Sequence, residues 1–202
     1  MTLASIVADF QNDARQLPPG EMVQKYIMPT VCAGAISFDE RVLRERIARR
    51  FLVPVEGVVI VGSAKLGFTL HDKDMEEEVP RPAYSPFSAA SDIDIAIVNE
   101  HLFDHIWKLC FDYWDRAGYR YGLPLWDKAN DFRNYIFRGW MRPDMLPASK
   151  AVNYSRNWFQ FFERLMSERA AGDNRITAGL YREAYFFERY QGFSIAKAQA
   201  RL

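Results

Sequence analysis

Ser91-Asp92-Ile93-Asp94-Ile95-Ala96-Ile97-Val98 is the stretch on which the fold turns. An apolar run rich in β-branched residues predicts a buried strand over 93–98, with Asp92 at its edge. Residues two apart on a strand share a face, so Asp92 and Asp94 are expected to project together at about 6–7 Å spacing. Ile93 and Ile95 then point the other way, into packing. Two neighbouring carboxylates repel and resist ionisation unless a cation neutralises them. Oxygen ligands of this kind suit Mg²⁺, which takes one or two carboxylates and completes its shell with water and phosphate.

Upstream, Val58-Val59-Ile60-Val61 follows Gly57 and predicts another buried strand, closed by Gly62-Ser63-Ala64-Lys65. A glycine at a strand end lets the backbone turn sharply and approach a ligand closely. A helical turn starting at Ser63 would aim free N–H groups and a hydroxyl at an anion. Lys65 would add a cation near the same phosphates. An anion cradle opposite paired carboxylates describes a site for a metal-bound triphosphate.

Gly62-Ser63 followed by Asp92-Ile93-Asp94 in an apolar strand resembles the signature of the DNA polymerase β-like nucleotidyltransferase superfamily. The resemblance covers residues 57–98. It implies an α+β fold, a small mixed sheet with flanking helices, and a triphosphate held by Gly62 and Ser63. Asp92 and Asp94 would bind Mg²⁺ and be catalytic. The implied reaction is attack by a hydroxyl on the α-phosphate of an NTP with release of pyrophosphate, two metals stabilising the attacking and leaving oxygens. The acceptor could be a protein hydroxyl, a tRNA end, a small molecule or another nucleotide, so RNA and protein partners both stand, with a role in defence or toxin–antitoxin biology. The chain departs from the pattern twice. Asp92 lies 92 − 63 = 29 residues beyond Ser63, so 71–91, with Pro80, Pro82, Pro86 and an acidic run from Asp74 to Glu78, is expected as an inserted loop. The third carboxylate of polymerising members has no obvious counterpart: Asp144 is the leading candidate, with Asp127 and Asp131 as others. A catalytically degenerate protein that binds a nucleotide or a partner is the rival expectation, and an adaptor using C-terminal aromatics a further one.

Around this centre, the spacing predicts a helix over 3–17 stopped by Pro18-Pro19-Gly20, and one after Ser37-Phe38-Asp39-Glu40. In the latter, Ser37 caps and Glu40 reaches back. A helix over 100–117, a strand over 134–140 and helices over 153–171 and 177–200 complete the reading. Residues 1–150 are thus expected as a nucleotidyltransferase-like domain, with 151–202 a helical part packed on it. Phe159, Phe162 and Met166 are expected on one helical face, Tyr181 and Tyr185 on another. Core packing is the primary reading of these aromatics; base stacking beside Arg182 or Arg189 is the second.

Lys and Arg total 26 against 26 for Asp and Glu, which argues against a binder relying on bulk positive charge. Cys32 and Cys110 are too few for a disulfide framework and are expected as buried thiols. His101 and His105, four apart, read as exposed helix residues before metal ligands. No run reaches the ~18 apolar residues of a membrane span. A cytoplasmic protein with no membrane partner is expected.

Overall fold

The computed structural model describes residues 2–29, 32, 38–73, 80–116, 128–147 and 153–202. Ser37, Asp127 and the acidic run Asp74–Glu78 lie outside them. The chain is mixed α+β: a four-stranded mixed sheet, ordered β1-β2-β5-β3, carries helices on both faces.

β1 (Val58–Val61) and β2 (Ile93–Val98) pair antiparallel, with Val61 opposite Asp94. β2 runs parallel to β5 (Ile176–Tyr181), which sets Asp94 beside Thr177 and Ala96 beside Gly179. β3, only Trp140–Met141, closes the far edge against β5. Period-2 alternation splits the sheet into two faces. Val58, Ile60, Ile93, Ile95, Ile97, Ile176 and Leu180 enter one apolar core; Val61, Ala96 and Tyr181 enter the other.

The larger core is closed by α3 (Glu40–Phe51), α5 (Glu100–Trp114), α6 (Ala129–Phe137) and α7 (Tyr154–Ser167). Leu43, Ile47 and Phe51 recur at helical spacing, and Phe51 meets Trp158 and Phe162 of α7 at ring-centroid distances of 4.6 and 6.1 Å. Each such side chain contributes about 1.5–3 kcal/mol by leaving water. The cap of α3 is Asp39, whose carboxylate accepts from the Val42 amide at 3.1 Å. Ser37 was expected there, but an Asp one residue before the helix is an equally good acceptor. Glu40 accepts from the Cys32 amide. Asn99 caps α5 by accepting from Leu102 N at 2.8 Å.

The opposite core is closed by α1 (Leu3–Ala14), α2 (Pro19–Tyr26) and α8 (Ala184–Gln199) through Phe10, Met22, Val23, Phe187 and Ile195. Pro19, expected only as a helix stop, also opens α2 at a position where the missing N–H costs nothing.

Two sequence expectations fail here. Residues 134–140 were expected as a strand but 129–137 form α6, leaving two residues of strand at 140–141. Tertiary packing of Phe132 decided between a short apolar helix and a short strand, which periodicity alone does not separate. The expected helices over 153–171 and 177–200 are interrupted: β4 (Ala170–Asp173) and β5 lie between α7 and α8. The C-terminal part therefore contributes an inner strand to the sheet. Tyr181, on that strand, shares no helix face with Tyr185.

The inserted stretch is not a plain loop. Lys73 and Arg81 exchange backbone hydrogen bonds in both directions, and Thr69 N donates to Ser85 O while Tyr84 N donates to Thr69 O. Phe68, fully buried, anchors its base against Phe10.

Candidate active site

The end of β1 turns through Gly62 at φ +66° straight into α4, a five-residue helix over Gly62–Leu66 that no side chain caps. Because Val61 lies opposite Asp94, this turn is brought against the carboxylate: a Cβ on Gly62 would stand 2.7 Å from Asp94 Oδ2. Gly62, Ser63 and Asp94 border one cavity of about 900 Å³, with Thr177 beside them. That volume lies in the range of small-molecule sites.

Asp94 is half-buried, and burial raises its carboxyl above the usual range. Thr177, its neighbour on β5, opposes this by donating Oγ1–H to Asp94 Oδ1 at 2.6 Å, as do the charges of Lys73 and Arg175; Asp92 raises it further. Asp92 stands one residue ahead of β2, more exposed, with its carboxylate 3.5 Å from Arg175 Nε. It affects Asp94 electrostatically but does not itself border the cavity.

Lys65 sits elsewhere. It is 2% exposed, donates to the carbonyl of Pro29, and is not among the cavity's borders. Burial lowers its ammonium pKa, with Cys32 and Glu40 acting the other way. One turn into a helix rooted in the core, its side chain is carried away from the phosphate side, so the expected phosphate role is corrected. Cations that do border the cavity are Lys73, from the inserted stretch, Arg175, just before β5, and Arg142. The first was hidden in a segment read as loop, and the second fell in the gap between the two stretches read as helices.

Asp144 also borders the cavity, in a turn after β3, but it is engaged by Lys128 at 3.1 Å and by Arg142 at 3.0 Å. Burial pushes its pKa up, and these two cations outweigh burial and lower it. Asp131 is exposed on α6. Among the described residues no three His, Cys, Asp or Glu side chains form a group able to hold a metal, so Asp144 does not complete a triad with Asp92 and Asp94. His101 and His105 are exposed, the latter edge-on to Tyr154 at 5.7 Å. Cys110 is buried, and Cys32 only partly so.

The far walls are aromatic: Trp140, Tyr181 and Tyr190 on one side, Trp158, Phe159 and Phe162 on the other. Arg182 is spent on Asp104, Glu100 and Glu183, Arg189 lies over the Tyr185 ring at 5.9 Å, and neither borders the cavity.

The oxygen donors a Mg²⁺ would take here are Asp94 and Asp92. Asp94 is a carboxyl that burial makes reluctant to ionise, and the charge of Asp92 adds to that reluctance. On the neighbouring strand the position beside Asp94 is taken by Thr177, a hydroxyl and not a third carboxylate. No protein-family model, no curated protein and no solved structure matches this chain.

Proposed function

We propose that this protein is a Mg²⁺-dependent nucleotidyltransferase of the DNA polymerase β-like type. The observation that carries the reading is the contact of the Gly62–Ser63 turn with Asp94 across the β1–β2 pair, inside a cavity that Lys73 and Arg175 also border. The α4 amides and the two cations would hold the β- and γ-phosphates, where hydrogen bonds to a charged group are roughly twice as strong as neutral ones. Asp92 and Asp94 would hold the Mg²⁺, which when bound neutralises charge on the phosphates. An acceptor hydroxyl oxygen forms a bond to the α-phosphorus, the bond to pyrophosphate breaks, and the hydroxyl proton leaves to a base. Asp144 borders the cavity, but its lowered pKa makes it a weak one.

Incubation with α-labelled NTPs, Mg²⁺ and candidate acceptors (the protein itself, tRNA, a second nucleotide) tests this. Release of pyrophosphate, lost in Asp94→Asn, is the expected result.

One observation favours a second reading, a nucleotide-binding module without turnover. Thr177, a hydroxyl, occupies the position beside Asp94 on the neighbouring strand, and Asp144 is neutralised by two cations. NTP binding without pyrophosphate release across those acceptors decides for it.

A further inference from the structure

His71 Nε2 and Ser194 Oγ stand 3.0 Å apart, and both residues border the cavity that Gly62 and Asp94 border. Both are half-buried, neither sealed in the core. A hydroxyl within hydrogen-bond reach of an imidazole is the geometry of a nucleophile with its base. The pair joins parts of the chain 123 residues apart. His71 is held at the root of the inserted stretch, where Thr69, 2% exposed, is tied by backbone hydrogen bonds to Ser85 and Tyr84. Ser194 lies on α8, on the same face as Tyr190 and Gln191, which also border the cavity.

α8 follows β5 and packs against both β5 and β2. Phe187, near its start, meets Tyr181 at the end of β5 with ring centroids 5.3 Å apart. Thr177 lies four residues back along the strand, about 13 Å. Ser194 lies seven residues on along the helix, about 10.5 Å. Ile195, its neighbour, shares a core with Val61, the residue opposite Asp94. Tyr190, one turn before Ser194, has a hydroxyl whose pKa is raised by burial first and then by the charges of Tyr135 and Asp94. Ser194 is thus carried toward the Asp94 and Thr177 end of the sheet.

We propose that Ser194 is an acceptor of the transferred nucleotide, its hydroxyl activated by His71 Nε2, so that the protein modifies itself. The proposal rests on the transferase reading above. Ser194 Oγ bonds to the α-phosphorus, the bond from that phosphorus to the pyrophosphate oxygen breaks, and the hydroxyl proton passes to His71 Nε2. The products are a Ser194–NMP phosphodiester, pyrophosphate and an imidazolium.

The surroundings of His71 suit the task. Burial, and then the charges of Lys197 and Arg201, hold its pKa below the usual histidine value, while Asp72 opposes them. The ring is therefore neutral at pH 7, the form that can accept a proton. Its Nδ1 is buried and has no hydrogen-bond partner among the described residues, so no carboxylate orients the ring or stabilises the imidazolium. A base of this kind suits a single self-modification better than rapid turnover.

Two measurements test the proposal. Incubation of wild type with each α-labelled NTP and Mg²⁺, followed by peptide mass mapping, should place the NMP on Ser194. Ser194→Ala should lose the label, and His71→Gln should slow labelling about a hundredfold, the low end for a general base. In EDTA without nucleotide, imidazole ¹⁵N shifts at neutral pH should show Nδ1 protonated and Nε2 bare; this needs only wild type. Proton on Nε2 overturns the proposal, because that nitrogen then cannot take one from Ser194. So does label on another residue, or pyrophosphate release to tRNA or a nucleotide with Ser194 unmodified, and both outcomes leave the transferase reading standing. No release with any acceptor sinks that reading and this proposal together.

Discussion

Gly62 and Asp94 touch across the antiparallel β1–β2 pair so closely that a methyl group on the first would collide with the carboxylate of the second, 2.7 Å from Oδ2. Gly62 also holds φ +66°, a left-handed conformation that side chains resist. Gly62→Ala therefore meets two penalties, and a cost of roughly 1–3 kcal/mol is expected for the backbone one alone. Thermal melts of Gly62→Ala, Asp94→Ala and the double variant separate them. The double variant should recover the collision part and retain the backbone part, so the two substitutions should be non-additive.

Asp94 should destabilise the metal-free fold at neutral pH. Its folded-state pKa is raised, so the native state holds the proton more tightly than the unfolded chain. Stability contributed by the protonated form is then complete below the unfolded pKa and falls as pH rises through the folded one. Asp94→Asn is expected to raise the melting temperature in EDTA at pH 7, with the advantage shrinking as the solution is acidified. Added Mg²⁺ with NTP should stabilise wild type and leave Asp94→Asn unmoved. An Asn variant less stable than wild type at pH 7 would contradict this account of the carboxylate.

Thr177 reduces that burden by donating to Asp94 at 2.6 Å. Thr177→Val keeps the shape and removes the donor, and a bond to a carboxylate contributes about 1.5–3 kcal/mol. The variant should melt lower than wild type at pH 7 and converge with it in acid, where Asp94 is protonated and accepts less strongly.

The cations should separate cleanly. Lys73→Ala and Arg175→Ala, at the cavity, are expected to weaken triphosphate binding about tenfold or more each while barely moving the melting temperature, both being surface-accessible at their tips. Lys65→Ala should do the opposite. It empties a buried side-chain position and removes the donor to the Pro29 carbonyl, lowering stability with little effect on nucleotide affinity at temperatures where the variant is folded.

Cys110 is 1% exposed, and burial pushes its thiol up to about 12. Only the thiolate reacts, so alkylation at neutral pH should be very slow in the native protein and fast in denaturant. Prompt labelling of Cys110 in the folded state would mean that α5 opens locally.

Much of the site's frame was legible in residue order. The strands at 58–61 and 93–98 follow from β-branched runs, and the turn at Gly62 from a glycine at a strand end. Capping position was off by two residues because Ser37 and Asp39 offer the same chemistry. What escaped was everything that depends on a partner distant in sequence. The run Ile176–Tyr181 holds one helix-weakening residue, Gly179, but its extended state is set by the ladder with β2, a neighbour 83 residues away at the Asp94–Thr177 pair.

The sequence by itself determined that a glycine turn and an aspartate-bearing strand exist, because those are local properties of φ freedom, branching and alternation. Only the tertiary structure decided that Thr177 rather than a carboxylate stands beside Asp94. It also decided that Lys73 and Arg175, not Lys65, face the cavity. Those outcomes are set by strand register and by which side of a helix the core claims, and both are fixed by contacts between residues far apart in the chain.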